Sequence, residues 1–248
     1  MESNVLQTKA KLTQEQVNSL NASLAGASPQ KILQWVLGEF HPKIALASSF
    51  GAEDVALIDM MVKVNPKARV FTLDTGRLNQ ETYDIMDEIK GKYNMEIQVM
   101  FPDHNTVEKM VREKGMNLFY DSVENRKLCC GIRKIEPLNR ALKELDGWIT
   151  GIRKDQTQNR QAANYVEIDN DHGGIIKVNP LLDWKWDQVW DYVKQNKVPY
   201  NVLHDRGYPS IGCEPCTRAI EPGEDPRAGR WWWEQGNKEC GLHVRGKH

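Results

Sequence analysis

Five cysteines among 248 residues are the side chains best placed to do chemistry. Cys129 and Cys130 are adjacent, and Cys213-Glu214-Pro215-Cys216 is a CxxC pair. Cys240 stands alone in Lys238-Glu239-Cys240-Gly241-Leu242-His243. Four thiolates in two pairs suit a [4Fe–4S] cluster or a structural zinc. Neighbouring side chains on a helix diverge by about 100°, which makes Cys129 and Cys130 an awkward chelate for one ion. A cubane, with irons at separate corners, tolerates that divergence better. Two plainer readings remain: buried structural thiols, or a thioredoxin-like pair at 213–216. The second is weaker, because its flanks do not open a helix in an early strand–helix unit. At Cys240, Lys238 and His243 could lower the thiol pKa, and an exposed thiolate is a nucleophile. The plain alternative is an inert exposed cysteine.

Basic residues form the second group. Lys134 lies four residues after Cys130, so on a helix the two share a face. Its charge could offset thiolates or meet an anion. Arg227 and Arg230 are three apart, and guanidinium forks suit phosphate or sulfate oxygens. Arg153 and Arg160 bracket the polar stretch RKDQTQNR and could join them. Each alone reads equally as a solvated surface cation. The run Trp231-Trp232-Trp233 reads as an anchor that packs the polar end of the chain onto a core.

Two short segments could cradle a nucleotide. Ser48-Ser49-Phe50-Gly51-Ala52-Glu53-Asp54 follows a predicted strand and opens a helix, where small residues and free N–H groups suit an anion. Leu73-Asp74-Thr75-Gly76 follows the next strand, and Gly76 permits a tight turn. Neither contains the GxxxxGK[ST] pattern of a P-loop.

The elements that must position these residues alternate. Strand runs are expected at 43–50, 69–74, 96–101 and 148–151, with helices near 53–64, 79–93 and 106–114. A further strand is read within 174–182, and a helix at 184–197 with Trp186, Val189, Trp190 and Val193 on one face. The strand runs are nearly continuous in apolar residues, as in a parallel sheet covered on both faces. The fold class is therefore α/β, Rossmann-like and mostly parallel. Ligands of such sheets sit beyond the carboxyl ends of the strands. The expected organisation is an N-terminal helical arm at 1–28, an α/β nucleotide-binding domain at 29–205 carrying Cys129 and Cys130, and a C-terminal segment at 206–248. That last segment is rich in glycine, proline and charge and reads as a mobile tail without a core of its own.

Composition bounds the function. Hydrophobic residues make up 40%, charged residues 27%, and the formal net charge is −1, so a generally basic nucleic-acid binder is not expected. No run of ~18 apolar residues suggests a membrane span. The first residues, MESNVLQTKAKLTQEQV, lack the apolar stretch of a secretory signal, so a cytoplasmic, reducing compartment is expected. There, five cysteines argue for metal or thiol chemistry rather than disulfides.

The segments SSFGAEDV, LDTGRL, CCGIRK, TGIRKDQTQNR, GCEPCTR, GRWWWE and KECGLH closely resemble the assimilatory adenylyl-sulfate (APS) reductases. These belong to the wider 3′-phosphoadenylyl-sulfate (PAPS) reductase group. The resemblance runs from about residue 43 to 243. Members without an iron–sulfur cluster lack the paired cysteines but keep ECGLH, so this chain resembles the cluster-bearing type, which usually prefers APS. The resemblance implies the adenine-nucleotide α-hydrolase-like fold and reduction of APS to sulfite and AMP, in sulfate assimilation. It implies Cys240 as the nucleophile, passing through an S-sulfocysteine, with thioredoxin or a glutaredoxin as electron donor. It implies Cys129, Cys130, Cys213 and Cys216 as ligands of one [4Fe–4S] cluster per subunit. It also implies that Lys134, Arg153, Arg160, Arg227 and Arg230 line the phosphosulfate. Ser48, Ser49, Phe50, Gly51, Asp54, Leu73, Asp74, Thr75 and Gly76 fall in its nucleotide-binding loops. The family is often oligomeric, which leaves a homo-oligomer open. Rival readings are a PAPS or dual APS/PAPS reductase, an ATP pyrophosphatase-type ligase, and an iron–sulfur redox sensor without turnover. Against the ligase, Phe50 is expected to fill the space a pyrophosphate needs. Against the sensor, no basic DNA-reading segment is present.

Overall fold

The computed structural model describes residues 11–234. Its centre is a six-stranded sheet: β1 (Ile44–Ser48), β2 (Arg69–Leu73), β3 (Ile97–Met100), β4 (Gly147–Ile149), β5 (Val166–Asp169) and β6 (Ile175–Val178). The strand order is β3-β2-β1-β4-β6-β5. All neighbours are parallel except β5, which runs antiparallel to β6. The chain leaves β1 toward β2 on one side and returns to β4 on the other. The crevice beyond the carboxyl ends of β1 and β4 is thus a topological switch point.

Both faces are covered, as the apolar runs require. On one face lie α1 (Gln14–Leu24), α2 (Pro29–Phe40), α3 (Ala52–Val64), α4 (Gln80–Tyr93) and α8 (Trp186–Gln195). In β1, Ile44 and Leu46 point into this layer, while Ala45 meets the other. The helix α2 starts on Ser28, whose hydroxyl accepts from Lys31 N–H, with Pro29 pre-set in its first turn. Buried Val189 and Val193 carry α8 onto α3 as the spacing predicts, with Trp186 and Trp190 half-buried beside them.

The opposite face holds α7 (Glu136–Leu142), with α5 (His104–Lys114) and α6 (Val123–Cys130) preceding it in the chain. Leu138, Ala141 and Leu142 pack there against Phe71 and Trp148. Between α6 and α7 the helix widens into a π turn, Gly131–Ile135, with Glu136 N–H donating to Gly131 C=O. Pro137 follows at once and has no N–H to donate four residues back. Such widened turns occur frequently at functional sites.

Three expectations are revised. The N-terminal arm contains a docked helix: Val17 and Leu24 of α1 are buried in the main core. The Asn21 amide exchanges two hydrogen bonds with the Val166 backbone, which closes the open edge of β5. Strand β5 itself was not anticipated. The segment after 206 is docked through a shared cluster: Cys216 and Trp231 pack with Met110, Leu118 and Phe119. Trp231 is thus the anchor its sequence suggests, whereas Trp232 stays exposed.

Behind the switch point, Asn179 is fully buried and ties three segments together. Its amide donates to Asn164 C=O at 2.7 Å, and its oxygen accepts the Thr150 hydroxyl at 2.5 Å. In Asn179→Ala both partners lose a bond in a buried place, at a cost of about 2 kcal/mol. Thermal unfolding should show a midpoint lower by roughly 4–8 °C; an unchanged midpoint would contradict this account.

Candidate active site

A cavity of about 370 Å³ opens at the switch point, within the range for a small ligand. From the β1 loop, Ser48, Ser49, Gly51 and Asp54 line it; from the β2 loop, Leu73 and Thr75. Lys134, Arg153, Arg160, Arg227 and Arg230 complete the expected set. Phe50, Asp74 and Gly76 do not line the cavity. They shape its loops instead.

Phe50 adopts φ 58° and its ring is fully buried in the main core. The ring therefore does not occupy the space of a phosphate. What closes this loop is Asp54. Its carboxylate accepts from Ser49 N–H at 2.6 Å and Ser49 Oγ at 2.9 Å, consuming an amide that an anion would otherwise use. In the next loop Asp74 accepts from Gly76 N–H and from the Tyr83 hydroxyl. Gly76 has φ 68°, a conformation that favours glycine. Arg133 then pins the turn by donating to Thr75 C=O at 2.6 Å.

The basic residues arrive from three segments. Lys134 sits on the π turn. Arg153 and Arg160 lie on two short 3₁₀ turns after β4. Arg153 is held hard: Nε and Nη2 donate to Glu53 Oε1 at 3.0 and 2.9 Å, Nη1 pairs with Asp155, and its plane lies 5.3 Å from the Trp186 ring. Gln156 bridges the group, donating to Glu53 and accepting from Arg160. Arg230 donates to Ser210 Oγ and Ile211 C=O. Its guanidinium packs where a Cβ on residue 212 would stand, so a side chain there would displace it.

The four described cysteines are free thiols that line a second, smaller cavity. Lys134 and Arg230 line both cavities. Cys129 and Cys130 end α6, Cys213 opens a 3₁₀ turn, and Cys216 closes it. Among the described residues, no group of three or more His, Cys, Asp or Glu side chains is gathered so as to hold a single metal ion. A tetrahedral zinc would need its sulfurs within about 3.8 Å of one another, given Zn–S distances near 2.3 Å. Four thiols lining one cavity are a donor set of the kind that an iron–sulfur cluster or a zinc ion takes. Burial pushes the Cys216 thiol up to about 12, with Cys213 and Cys130 adding and Lys134 opposing. Burial also pushes Cys213 up, but Lys134, the Thr75 hydroxyl at 3.3 Å, Arg230 and Arg133 outweigh it, and that thiol lies below its ordinary range. Cys240 lies outside the described residues.

Glu53, Gln156, Trp186 and His204 also line the cavity and were not anticipated. Glu53 could have been suspected, since an acidic residue in an anion-binding loop invites a basic partner. Gln156 falls inside the stretch between Arg153 and Arg160 already singled out, while Trp186 and His204 are brought in by tertiary packing, without a local signal.

Asp54 makes the loop sensitive to pH. Burial raises its carboxyl from 3.8 to about 7, with Glu53 adding and the Ser49 hydrogen bonds and Arg160 opposing. The folded state thus holds a proton that the unfolded state has lost between pH 4 and 7, so stability falls as pH rises through that window. Asp54→Asn mimics the protonated carboxyl. It should melt like the parent near pH 4 and above it at pH 8, by up to about 4 kcal/mol. A difference that does not grow with pH would show the carboxyl ionised throughout.

Residues 43–219 match the phosphoadenosine phosphosulfate reductase domain family. The chain is 51% identical over 209 residues to an adenosine 5′-phosphosulfate reductase of Burkholderia cepacia, covering 84% of this chain and 83% of that one. It is 46% identical over 238 residues to the chloroplastic 5′-adenylylsulfate reductase 3 of Arabidopsis thaliana, covering 92% of this chain and 51% of the plant protein. Its fold superimposes on the phosphoadenylyl-sulfate reductase of Candida auris, solved as a phosphate complex, with a TM-score of 0.73 at 32% identity, covering 84% and 98% of the two chains. An FMN adenylyltransferase of Candida glabrata shares the fold alone, with a TM-score of 0.53 at 15% identity and coverage of 84% and 65%. The α/β sheet, the cation-lined switch point and these similarities agree: the chain belongs to the phosphoadenosine phosphosulfate reductase family.

Proposed function

We propose that this chain reduces adenylyl sulfate to sulfite and AMP in sulfate assimilation, with a dithiol protein such as thioredoxin or a glutaredoxin as electron donor. The observation that carries this is the shared wall. Lys134 and Arg230 face both the nucleotide-sized cavity and the four-cysteine cavity, which suits a strongly anionic phosphosulfate. The curated relatives named above support adenylyl sulfate as the nucleotide.

In this reading the cavity holds the nucleotide, with its adenosine toward the β1 and β2 loops and its phosphosulfate toward the cations. The Cys240 thiolate bonds to the sulfate sulfur. The bond from that sulfur to the bridging oxygen breaks, and AMP departs with the electron pair. No proton is needed on a phosphate leaving group already stabilised by Lys134 and the arginines. The product on the protein is an S-sulfocysteine. A donor thiolate then attacks the Cys240 sulfur and sulfite leaves with the bonding pair. The second donor thiol resolves the mixed disulfide and returns the Cys240 thiolate. Two electrons thus pass from the dithiol to sulfur.

Cys129, Cys130, Cys213 and Cys216 would hold one [4Fe–4S] cluster per subunit. When bound, such a cluster supplies fixed charge and anchorage beside Lys134, while thiols supply the electrons. No described helix is long and apolar enough to cross a membrane, and a cytoplasmic setting suits thiols that must stay reduced.

Incubation with ³⁵S-labelled adenylyl sulfate should leave label on the protein in non-reducing electrophoresis. Label persisting in Cys240→Ser would sink the nucleophile assignment. Lys134→Ala and Arg230→Ala should each lower kcat/KM by roughly 10²–10³. Sulfite release compared on adenylyl sulfate and its 3′-phosphorylated form decides the preferred nucleotide, and faster turnover of the latter would favour a PAPS reductase. Iron on analysis and absorbance near ~400 nm should accompany the four thiols; zinc without iron in anaerobically purified protein would overturn the cluster.

A further inference from the structure

Arg126 lies on α6, three residues before Cys129. Its Nε and Nη2 each donate to one carboxylate oxygen of Glu234, both at 2.8 Å. Both side chains are nearly inaccessible, at 5% and 6% exposure. The guanidinium also lies 4.7 Å from the centre of the buried Trp231 ring. Trp231 is tied in turn to the CxxC turn, donating to Cys216 C=O, and Glu234 N–H donates to Trp231 C=O. A two-pronged ion pair out of water, backed by a ring, is geometrically stiff. Neither Arg126 nor Glu234 lines the nucleotide cavity, whereas Arg126, unlike Glu234, lines the four-cysteine cavity.

What Glu234 does hold is the chain just before the proposed nucleophile. Cys240 comes six residues later in the chain. We propose that the Arg126–Glu234 pair is a positioning device: it fixes the start of the segment carrying Cys240 to the helix carrying Cys129 and Cys130. The pair sets the origin from which Cys240 reaches the sulfate sulfur. This rests on the reading of Cys240 as nucleophile. Neither residue touches substrate, so the pair acts on the attack step and leaves nucleotide binding alone.

The test compares the parent, Glu234→Gln, Arg126→Gln, their double variant and the swapped pair Arg126→Glu with Glu234→Arg, all as full-length protein. Each is measured for AMP affinity, for iron content, and for the single-turnover rate of ³⁵S transfer from adenylyl sulfate to Cys240. The neutral variants should bind AMP like the parent, and Glu234→Gln, which leaves the four-cysteine cavity untouched, should also retain iron, while transfer slows roughly tenfold to a hundredfold. The double variant should be no slower than Arg126→Gln, which already loses the pair together with its packing on Trp231. The swapped pair should recover part of the rate. Unchanged transfer in the neutral variants, or additive losses in the double one, would overturn the inference. So would loss of AMP affinity and iron in step with transfer, which marks a merely structural pair; the swapped pair tests the same point if a neutral variant folds poorly. Absence of label on the parent overturns the Cys240 reading and this inference with it. Label on a parent whose variants match it overturns this inference alone.

Discussion

Five cations meet at one end of a sheet, and like charges in a half-buried cleft repel. At an effective dielectric near 20, two unit charges 4 Å apart interact by about 4 kcal/mol. The site can exist without its ligand only if that repulsion is distributed. Arg153 answers this most fully: Glu53 and Asp155 hold its guanidinium, and Trp186 backs it. Arg153 is thus more a fixed wall of the site than a mobile anion hook. Arg230 is steadied by neutral oxygens of Ser210 and Ile211 and by the Trp231 ring. Lys134 lies among cysteines, whose ionisation it favours and whose negative charge would in turn hold it.

This distribution explains which loop residues serve chemistry and which serve shape. Ser49 and Asp54 satisfy one another, so the β1 loop offers fewer bare amides than a loop built to wrap a pyrophosphate. The anion-binding burden shifts to side chains that arrive from elsewhere. Asp54 thus closes the loop on itself, while the Phe50 ring, turned into the core, fixes the bend.

Much of the architecture was legible because parallel strands are buried on both faces and write continuous apolar runs. The strands β1, β2 and β3 and the helices after them fall where periodicity puts them. The four paired cysteines and the five cations were legible by residue type, and the structure gathers them at two adjoining cavities. What escaped had a physical reason. Strand β5 is four residues long and half-exposed, so it shows no pattern. The π turn comes just before Pro137, a residue given no role in the sequence, and it changes the helical spacing assumed between Cys130 and Lys134. The segment after 206 looked coreless because its apolar residues are few, but Cys216 and Trp231 find partners in Leu118 and Phe119, far back in the chain. The hydrogen bonds of Glu53 are likewise long-range, reaching Arg153 and Gln156.

The four cysteines stand on two sides of a seam. Cys129 and Cys130 belong to α6, and Cys213 and Cys216 to the C-terminal segment, so the two pairs are 83 positions apart at their nearest. The same seam is crossed by Arg126–Glu234, by the Glu214 N–H bond to Arg77 C=O, and by the Thr75 hydroxyl against Cys213. Arg227 and Arg230 enter the nucleotide cavity only because that segment is docked. A group ligated by all four thiols would close a long loop, and the constraint on the unfolded chain grows with loop length. Its position makes assembly of the cation site and docking of the C-terminal segment one event. On this argument a cluster held by those thiols would have work to do without carrying electrons: it would hold together the two halves of a site whose charges otherwise push them apart.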